Sequence, residues 1–253
     1  MSVDLKIIEG VAYLTFDRPE AVNAISEAMF GQLADRLVEL TANPDVRATV
    51  LRGAGDNFSS GADIKEPIPP VEKQLAEPVE RHPTALIYRM PRPTLAAIRG
   101  YCLGGALELA LAADLRIAAE DAVFGFAEIH WALTTGWGGA TLLQELVGKG
   151  PALRLLLLGE KFDAAEALRL GLVTEVVPAR TFDEHTAAVA NALAACPGVP
   201  SREFRRLLSD PCFEERLQQE REMFAEVSQS PEALELLATF GRAASTIDTG
   251  TSP

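Results

Sequence analysis

Cysteine, histidine and positive charge are all scarce in this chain, and each scarcity removes a class of function. Three cysteines, Cys102, Cys196 and Cys212, are too few and too dispersed for a disulfide framework. Neither they nor the three histidines have metal-ligand spacing, so no metal is expected. Cys102 could act as a thiol nucleophile, but with no basic partner near it in sequence a small loop residue is the simpler reading. With 23 Lys and Arg against 36 Asp and Glu, the formal charge is −13, which argues against a nucleic-acid partner. Arginines can still gather locally around a phosphorylated ligand. No basic segment followed by an apolar one stands at Met1-Ser2-Val3-Asp4, and the longest apolar run, around Leu103 to Ala113, contains Glu108 and is too short to span a bilayer. The expectation is a cytoplasmic protein with no membrane partner. Solenoid repeats, a dinucleotide fingerprint and a phosphate loop are missing too: Gly53-Ala54-Gly55 lacks the third glycine, and no Gly-Lys-Ser/Thr occurs.

What is present is core-forming material. Of 253 residues, 48% are hydrophobic and the 16 prolines are scattered, which suits one large α/β core or a core with an appendage. Lys6 to Phe16, interrupted by Glu9-Gly10, predicts a hairpin or two linked strands. Asn23 to Leu40 carries Ile25, Met29, Leu33, Leu37 and Leu40 at helical spacing. Strands follow at Val46 to Leu51, Thr94 to Ile98 and Leu115 to Ala118, with an apolar helix over Leu103 to Ala113; this alternation implies a sheet faced by helices. Pro67 to Pro83 reads as a flap over a pocket or as a surface connection. Further on, a glycine turn enters a helix at Ala140 to Val147, and a second helix with Pro151 in its first turn runs to Leu158. Asp163 with Glu166 and Thr181 with Glu184 have capping-box spacing, and Val173 to Val177 is strand-like. Pro197-Gly198-Val199-Pro200 reads as a linker between residues 1–196 and a helical region, 197–253, with helices at Ser201 to Leu208, Pro211 to Val227 and Pro231 to Ala244 and a frayed tail. About 45 helical residues are marginal alone, so this region should pack on the core or on another subunit.

Two glycine-rich segments carry the candidate chemistry. In Ile98 to Asp114 a strand ends in a glycine turn that opens a helix, and Glu108 sits in its first turns among Ala and Leu. A carboxylate there is either a solvated group on an outer face or a buried one that needs a partner or a proton. Gly104 and Gly105 leave backbone N–H groups unshielded, able to receive developing negative charge. The second segment, Gly53 to Ile64, follows a strand and offers the Ala62 N–H; if that amide and the Gly105 amide converge, they form an oxyanion site, and otherwise Ala62 is a surface turn. Glu128 lies near Phe126, Ala127, Ile129 and Trp131, where partial burial would raise its pKa toward that of a general acid. His130 is assigned a structural or pocket-edge role, His82 and His185 surface or helix-end positions, and Asp63 and Asp114 roles in orienting loops.

Taken together, Ser60-Gly61-Ala62-Asp63-Ile64-Lys65-Glu66, Gly100 to Ala110, Ala113 to Ala118 and Phe124-Gly125-Phe126-Ala127-Glu128-Ile129 followed by Gly136-Trp137-Gly138-Gly139 resemble the enoyl-CoA hydratase/isomerase, or crotonase, superfamily. The likeness runs in order through Ala165 to Val173 and the helical C-terminal region. It implies an α/β spiral of ββα units with a helical C-terminal trimerisation region, assembled as a homotrimer or a dimer of trimers. Ala62 and Gly105 match the donors that hold the acyl thioester oxygen, Glu108 and Glu128 the two hydratase glutamates, and Gly136 the glycine whose backbone places the water. The implied reaction is syn hydration of a trans-2-enoyl-CoA, with coenzyme A carried by the substrate and no separate cofactor. Phe58 and Lys65 are rim candidates for coenzyme A, and Phe240 falls near the aromatic residue that helps enclose adenine. Ala127 and Thr135 replace prolines common in the family, and Glu128-Ile129-His130-Trp131 also resembles hydratase-lyases acting on aromatic acyl groups. Isomerase, aromatic hydratase-lyase and non-catalytic scaffold subunit are the rival readings.

Overall fold

The amino-terminal hairpin forms where its alternation predicts it. In the computed structural model, which describes residues 2–247 with side chains through residue 239, β1 (Ser2–Ile8) and β2 (Val11–Asp17) pair antiparallel, Ile8 opposite Val11. Glu9 and Gly10 both turn at positive φ, 51° and 85°, a geometry that suits the strands' twist. After β2 the chain crosses through α1 (Glu27–Ala42) and returns as β3 (Ala48–Gly53), parallel to β2. The periodicity predicts α1 from Asn23, but the helix starts four residues later, capped by Ser26 Oγ, which accepts the Met29 N–H at 3.2 Å. Asn23 is diverted to another task. Fully buried at φ 54°, its amide donates to the carbonyls of Ala54, Asn57 and Phe58, and its Oδ1 accepts the Arg18 N–H.

The segment from Pro67 to Pro83 contains α2 (Val71–Gln74) and a 3₁₀ turn at Val79–Arg81, and leads into α3 (Pro83–Tyr88). Next come β4 (Thr94–Ile98), β5 (Tyr101–Leu103), α4 (Gly105–Leu111), β6 (Leu115–Ala119) and β7 (Val123–Gly125). Helices α5 (Gly139–Val147) and α6 (Lys149–Leu158) precede β8 (Phe162–Asp163), α7 (Ala164–Leu170) and β9 (Glu175–Val177). Six strands make one sheet in the order β1-β2-β3-β4-β6-β9, parallel from β2 onward, and β5, β7 and β8 make a second. Each of the units β1-β2-α1 and β4-β5-α4 sets two successive strands before a helix, paired with each other in the first and divided between the two sheets in the second, so the fold is α/β with ββα repeats.

Alternation along the strands divides the core in two. Leu14, Leu51, Ala96 and Ala118 join the cluster around α1 and α4, while Val11, Val50, Leu95 and Ile117 face α8 (Phe182–Ala195) through Phe182, Ala190 and Ala194. The C-terminal region consists of α9 (Gly198–Leu208), α10 (Phe213–Val227) and α11 (Pro231–Ile247). Pro197 to Pro200, expected as a linker, enters the first turn of α9 instead, because proline is tolerated there. Phe213 and Leu217 of α10 belong to the α1–α4 cluster, and Phe213 stacks on Tyr88 at 3.8 Å. Asp163 caps α7 as expected, accepting the Glu166 N–H at 2.8 Å. Thr181 does not cap α8; its hydroxyl donates to the Pro178 carbonyl inside a preceding 3₁₀ turn. Helix α11 continues through Ser245 to Ile247, and the rest of the tail lies outside the described residues.

Candidate active site

Helix α4 is buried along its whole length, so Glu108 has no route to an outer face and is only 2% exposed. Its Oε2 accepts two short hydrogen bonds, from the N–H groups of Trp137 and Gly139, both at 2.7 Å. Those amides belong to the glycine turn that opens α5. Gly138 stands there at φ 100°, and a Cβ on Gly139 would lie 2.8 Å from Glu108 Cγ, so a side chain at either position would disturb the grip.

Glu128 opens a 3₁₀ turn, Glu128–Trp131, after β7. Its Oε2 is buried with no hydrogen-bond partner, while Oε1 would meet a Cβ added to Gly104 at 2.8 Å. The second carboxylate thus stands at the start of the helix that carries the first. Burial pushes both carboxyl groups upward, Glu128 to about 7. The charges of Glu128 and Glu220 raise Glu108 further, and the Gly139 and Trp137 amides oppose the rise. Burial and the neighbouring acidic charges thus favour the protonated form of both groups over simultaneous ionisation.

The loop that carries Ala62 lies against the entrance to α4, where Gly105 stands. Ile25 N–H donates to the Gly61 carbonyl and Asp63 N–H to the Ile25 carbonyl, which turns the intervening Ala62 N–H to the other side. Ser59 pairs with Cys102 in the same manner, laying the 59–62 loop beside the entrance to α4. The approach is so close that a Cβ on Gly61, at φ 95°, would fall 2.7 Å from the Leu103 oxygen and 3.3 Å from the Gly105 nitrogen. Neither the Ala62 nor the Gly105 N–H has an acceptor among the described residues. The Arg18 guanidinium anchors this loop, 2.5 Å from Asp63.

A cavity of about 600 Å³ opens here, lined among others by Ala62, Gly136, Trp137, Phe30, His82 and Phe224. Gly136 is buried against the Phe224 ring, and the Trp137 indole covers Gly105, 2.5 Å from where its Cβ would be. Ala62 and Gly136 line this cavity, whereas Gly105, Glu108 and Glu128 are not among its lining residues and stand behind the Trp137 turn.

Sequence reasoning missed Glu220. This α10 residue is 7% exposed and accepts from the Thr135 hydroxyl (2.6 Å), the Ala140 and Thr141 amides (3.2 and 3.0 Å) and the Thr141 hydroxyl (2.8 Å). It ties both ends of the turn that holds Glu108. Nothing in the charged run of α10 distinguishes it, since Glu214, Glu215 and Glu222 share its composition. His82, read as a surface or helix-end residue, does cap α3 but is buried, because Pro83 and Thr84 draw it into the core.

Phe58 is a correction. Expected at a coenzyme A rim, it is fully buried, edge-on to Phe16 with centroids 5.5 Å apart. Lys65 is exposed on the turn after Ala62, its N–H donating to Asp63 Oδ1. The Phe240 side chain lies outside the described residues. His130 contacts the Gly159 carbonyl at 3.2 Å, a structural contact, and Asp114 orients its loop by accepting from Thr94 and Arg205. Cys102 is buried and its thiol is pushed well up by burial, which disfavours a nucleophilic thiolate. No cluster of metal-ligating side chains occurs among the described residues.

A family model described as enoyl-CoA hydratase/isomerase matches residues 6–240. The chain is 39% identical over 199 residues to the (E)-benzylidenesuccinyl-CoA hydratase of Thauera aromatica, covering 75% of this chain and 78% of that protein. It is 33% identical over 238 residues to a probable enoyl-CoA hydratase of Mycobacterium bovis, covering 92% and 91%. The crystal structure of an enoyl-CoA hydratase from Mycobacterium avium subsp. paratuberculosis K-10 superposes with a TM-score of 0.86 at 30% identity, over 93% of this chain and 97% of that one.

Proposed function

The chain belongs to the enoyl-CoA hydratase/isomerase (crotonase) family, and from that premise we propose that it adds water syn across the 2,3 double bond of a trans-2-enoyl-CoA. The observation that carries this reading is the pair of buried carboxyl groups, Glu108 and Glu128, beside two unpaired amides. An isomerase that moves a proton between Cα and Cγ needs one carboxyl group; adding water needs a base for the water and an acid for Cα.

In this mechanism the thioester oxygen sits between the Ala62 and Gly105 N–H groups. Charge that develops there as the enolate forms is stabilised by several kcal/mol, on the order of 3 per donor. The Gly136 backbone helps place the water. Glu108, its Oε2 held in place by the Trp137 and Gly139 amides, takes a proton from the water in its ionised form as the water oxygen bonds to Cβ. The proton on Glu128 passes to Cα on the same face, and one proton moves from Glu108 to Glu128 between turnovers. Coenzyme A enters as part of the substrate, with Lys65 and Phe240 at its outer end, and no separate cofactor takes part.

The same reading makes the protein a cytoplasmic homotrimer or dimer of trimers, with residues 1–196 as acyl-CoA-binding core and 197–253 as assembly region. No helix among the described residues is long and apolar enough to cross a membrane.

A panel of straight-chain, branched and aromatic enoyl-CoA thioesters tests the reaction by loss of enoyl absorbance, with product mass as the arbiter. Gain of one water supports hydration. Conversion of a 3-enoyl-CoA without gain of water, or cleavage of an aromatic acyl chain, supports a rival. Glu108→Gln and Glu128→Gln should each lower kcat by roughly 10²- to 10⁴-fold while ligand binding persists.

A further inference from the structure

The cavity beside Ala62 has aromatic walls. The Phe30 ring centroid lies 4.4 Å from that of Trp137 and 5.1 Å from that of His82, and Phe224 closes another side. Two polar groups in this wall are not accounted for by the hydration mechanism. His82 is 7% exposed, and its Nδ1 accepts the Thr84 N–H at 3.3 Å. A neutral imidazole with an acceptor at Nδ1 carries its proton on Nε2, and that N–H has no acceptor among the described residues. Burial and the neighbouring Arg221 charge hold the ring neutral, its pKa lowered to about 3.

Arg221 is the second group, also 7% exposed and also in the cavity wall. Three of its donors are used, on Gln218 Oε1 at 2.8 Å and on the Gln74 and Glu77 carbonyls at 3.2 and 2.9 Å. A guanidinium has five N–H donors, and no carboxylate pairs with this one among the described residues. The acids sharing the cavity are engaged elsewhere. Glu27 pairs with Lys73 at 2.7 Å, Asp35 and Glu77 with Arg81 at 2.9 and 3.2 Å, and Asp63 with Arg18. Glu66 accepts the Glu27 N–H at 2.7 Å. The charges of Glu222, Glu77 and Glu80 offset part of the burial of this guanidinium without a direct ion pair, so its remaining donors are free for a carboxylate of the ligand.

We propose that the acyl group bound in this cavity carries a carboxylate at its far end, accepted by the Nε2–H of His82 and the guanidinium of Arg221, with its carbon framework against Phe30, Trp137 and Phe224. The proposal rests on the reading of this cavity as the acyl pocket of an enoyl-CoA enzyme. It adds the substrate class: the mono-CoA thioester of a dicarboxylic acid. A carboxylate here pairs directly with the guanidinium through charge-assisted hydrogen bonds, which a neutral acyl tail cannot do.

Calorimetric binding to the whole protein tests this with unreactive probes: succinyl-, glutaryl- and adipyl-CoA, each beside its methyl ester. At least one free acid should bind roughly tenfold tighter than its ester, the scale of one charge-assisted contact. In Arg221→Gln the acid-to-ester ratio should fall toward one, and His82→Phe should lower it in part. If every acid binds no tighter than its ester, the proposal is overturned, whether or not the variants fold. A ratio that Arg221→Gln leaves intact, with both ligands weakened equally, also overturns it, since a strap for the Gln74 and Glu77 loop would behave so. A preserved acid preference without hydration of any enoyl thioester would remove the hydratase reading alone; hydration without acid preference would remove only the carboxylate site.

Discussion

At the scale of single residues, the proposed hydration turns on where protons sit. It requires Glu128 to be protonated as the acid, and burial raises that carboxyl group's pKa to about 7. The free-enzyme profile, kcat/KM against pH, should therefore fall on the alkaline side with an apparent pKa near that value; a profile flat through pH 9 would contradict the assignment. The same shift has a stability counterpart. A carboxyl group whose folded pKa exceeds its unfolded value of roughly 4.3 holds more protons folded than unfolded in the window between them, so stability falls as pH rises through that window. Glu128→Gln lacks this term, and its Tm relative to wild type should increase from pH 4 to pH 8, measured by thermal scans. Glu108 was legible in the sequence because a carboxylate among alanines and leucines is conspicuous. Glu220 and Arg221 were not, because a charged amphipathic helix does not reveal which of its charges turns inward. Phe58, a rim candidate only through the family resemblance, is packed inside against Phe16, and nothing local in its glycine-rich loop decides between rim and core.

At the scale of elements, the turn between Thr135 and Thr141 is the part that most needs support. It presents the two amides that hold Glu108, and its ends are fixed by Glu220 across the gap to α10. Glu220→Ala would leave two backbone amides and two hydroxyls without their acceptor, at a cost of about 2–4 kcal/mol in denaturant unfolding. Its kcat should drop with it, because the Glu108 carboxylate loses its fixed geometry; unchanged turnover in a folded variant would separate α10 from the site. Asn23 plays a comparable part for the loop that presents Ala62, and Asn23→Ala should cost about 2–4 kcal/mol, since three carbonyls, two part-buried and that of Phe58 buried, lose their donor. Strand and helix identities were largely readable, because apolar periods of two and near four are local. The start of α1 was not, because Asn23 answers to carbonyls some thirty residues away.

At the scale of the whole molecule, the fold exists to bring distant segments to one point. The Ala62 loop follows β3, the start of α4 follows β5, and the turns at Glu128 and Trp137 both follow β7; the arrangement of two sheets that gathers them left no mark in local pattern. The family resemblance supplied that arrangement, where periodicity supplied only an α/β alternation. The proposed assembly has a candidate surface on α9, where Phe204, Leu207 and Leu208 are 65%, 78% and 86% exposed. Light scattering should report a trimer or its multiple, and Leu207→Asp with Leu208→Asp should shift it toward monomer; a monomeric wild type would contradict the assembly reading. The most direct test of the central claim, that two carboxyl groups and two amides act on one thioester, is hydration of a trans-2-enoyl-CoA in D₂O followed by NMR. The account predicts a 3-hydroxyacyl product with a single deuterium at Cα on the same face as the new hydroxyl, formed far more slowly by Glu108→Gln and Glu128→Gln. Undiminished turnover in both variants, or deuterium at Cα without oxygen at Cβ, would contradict it.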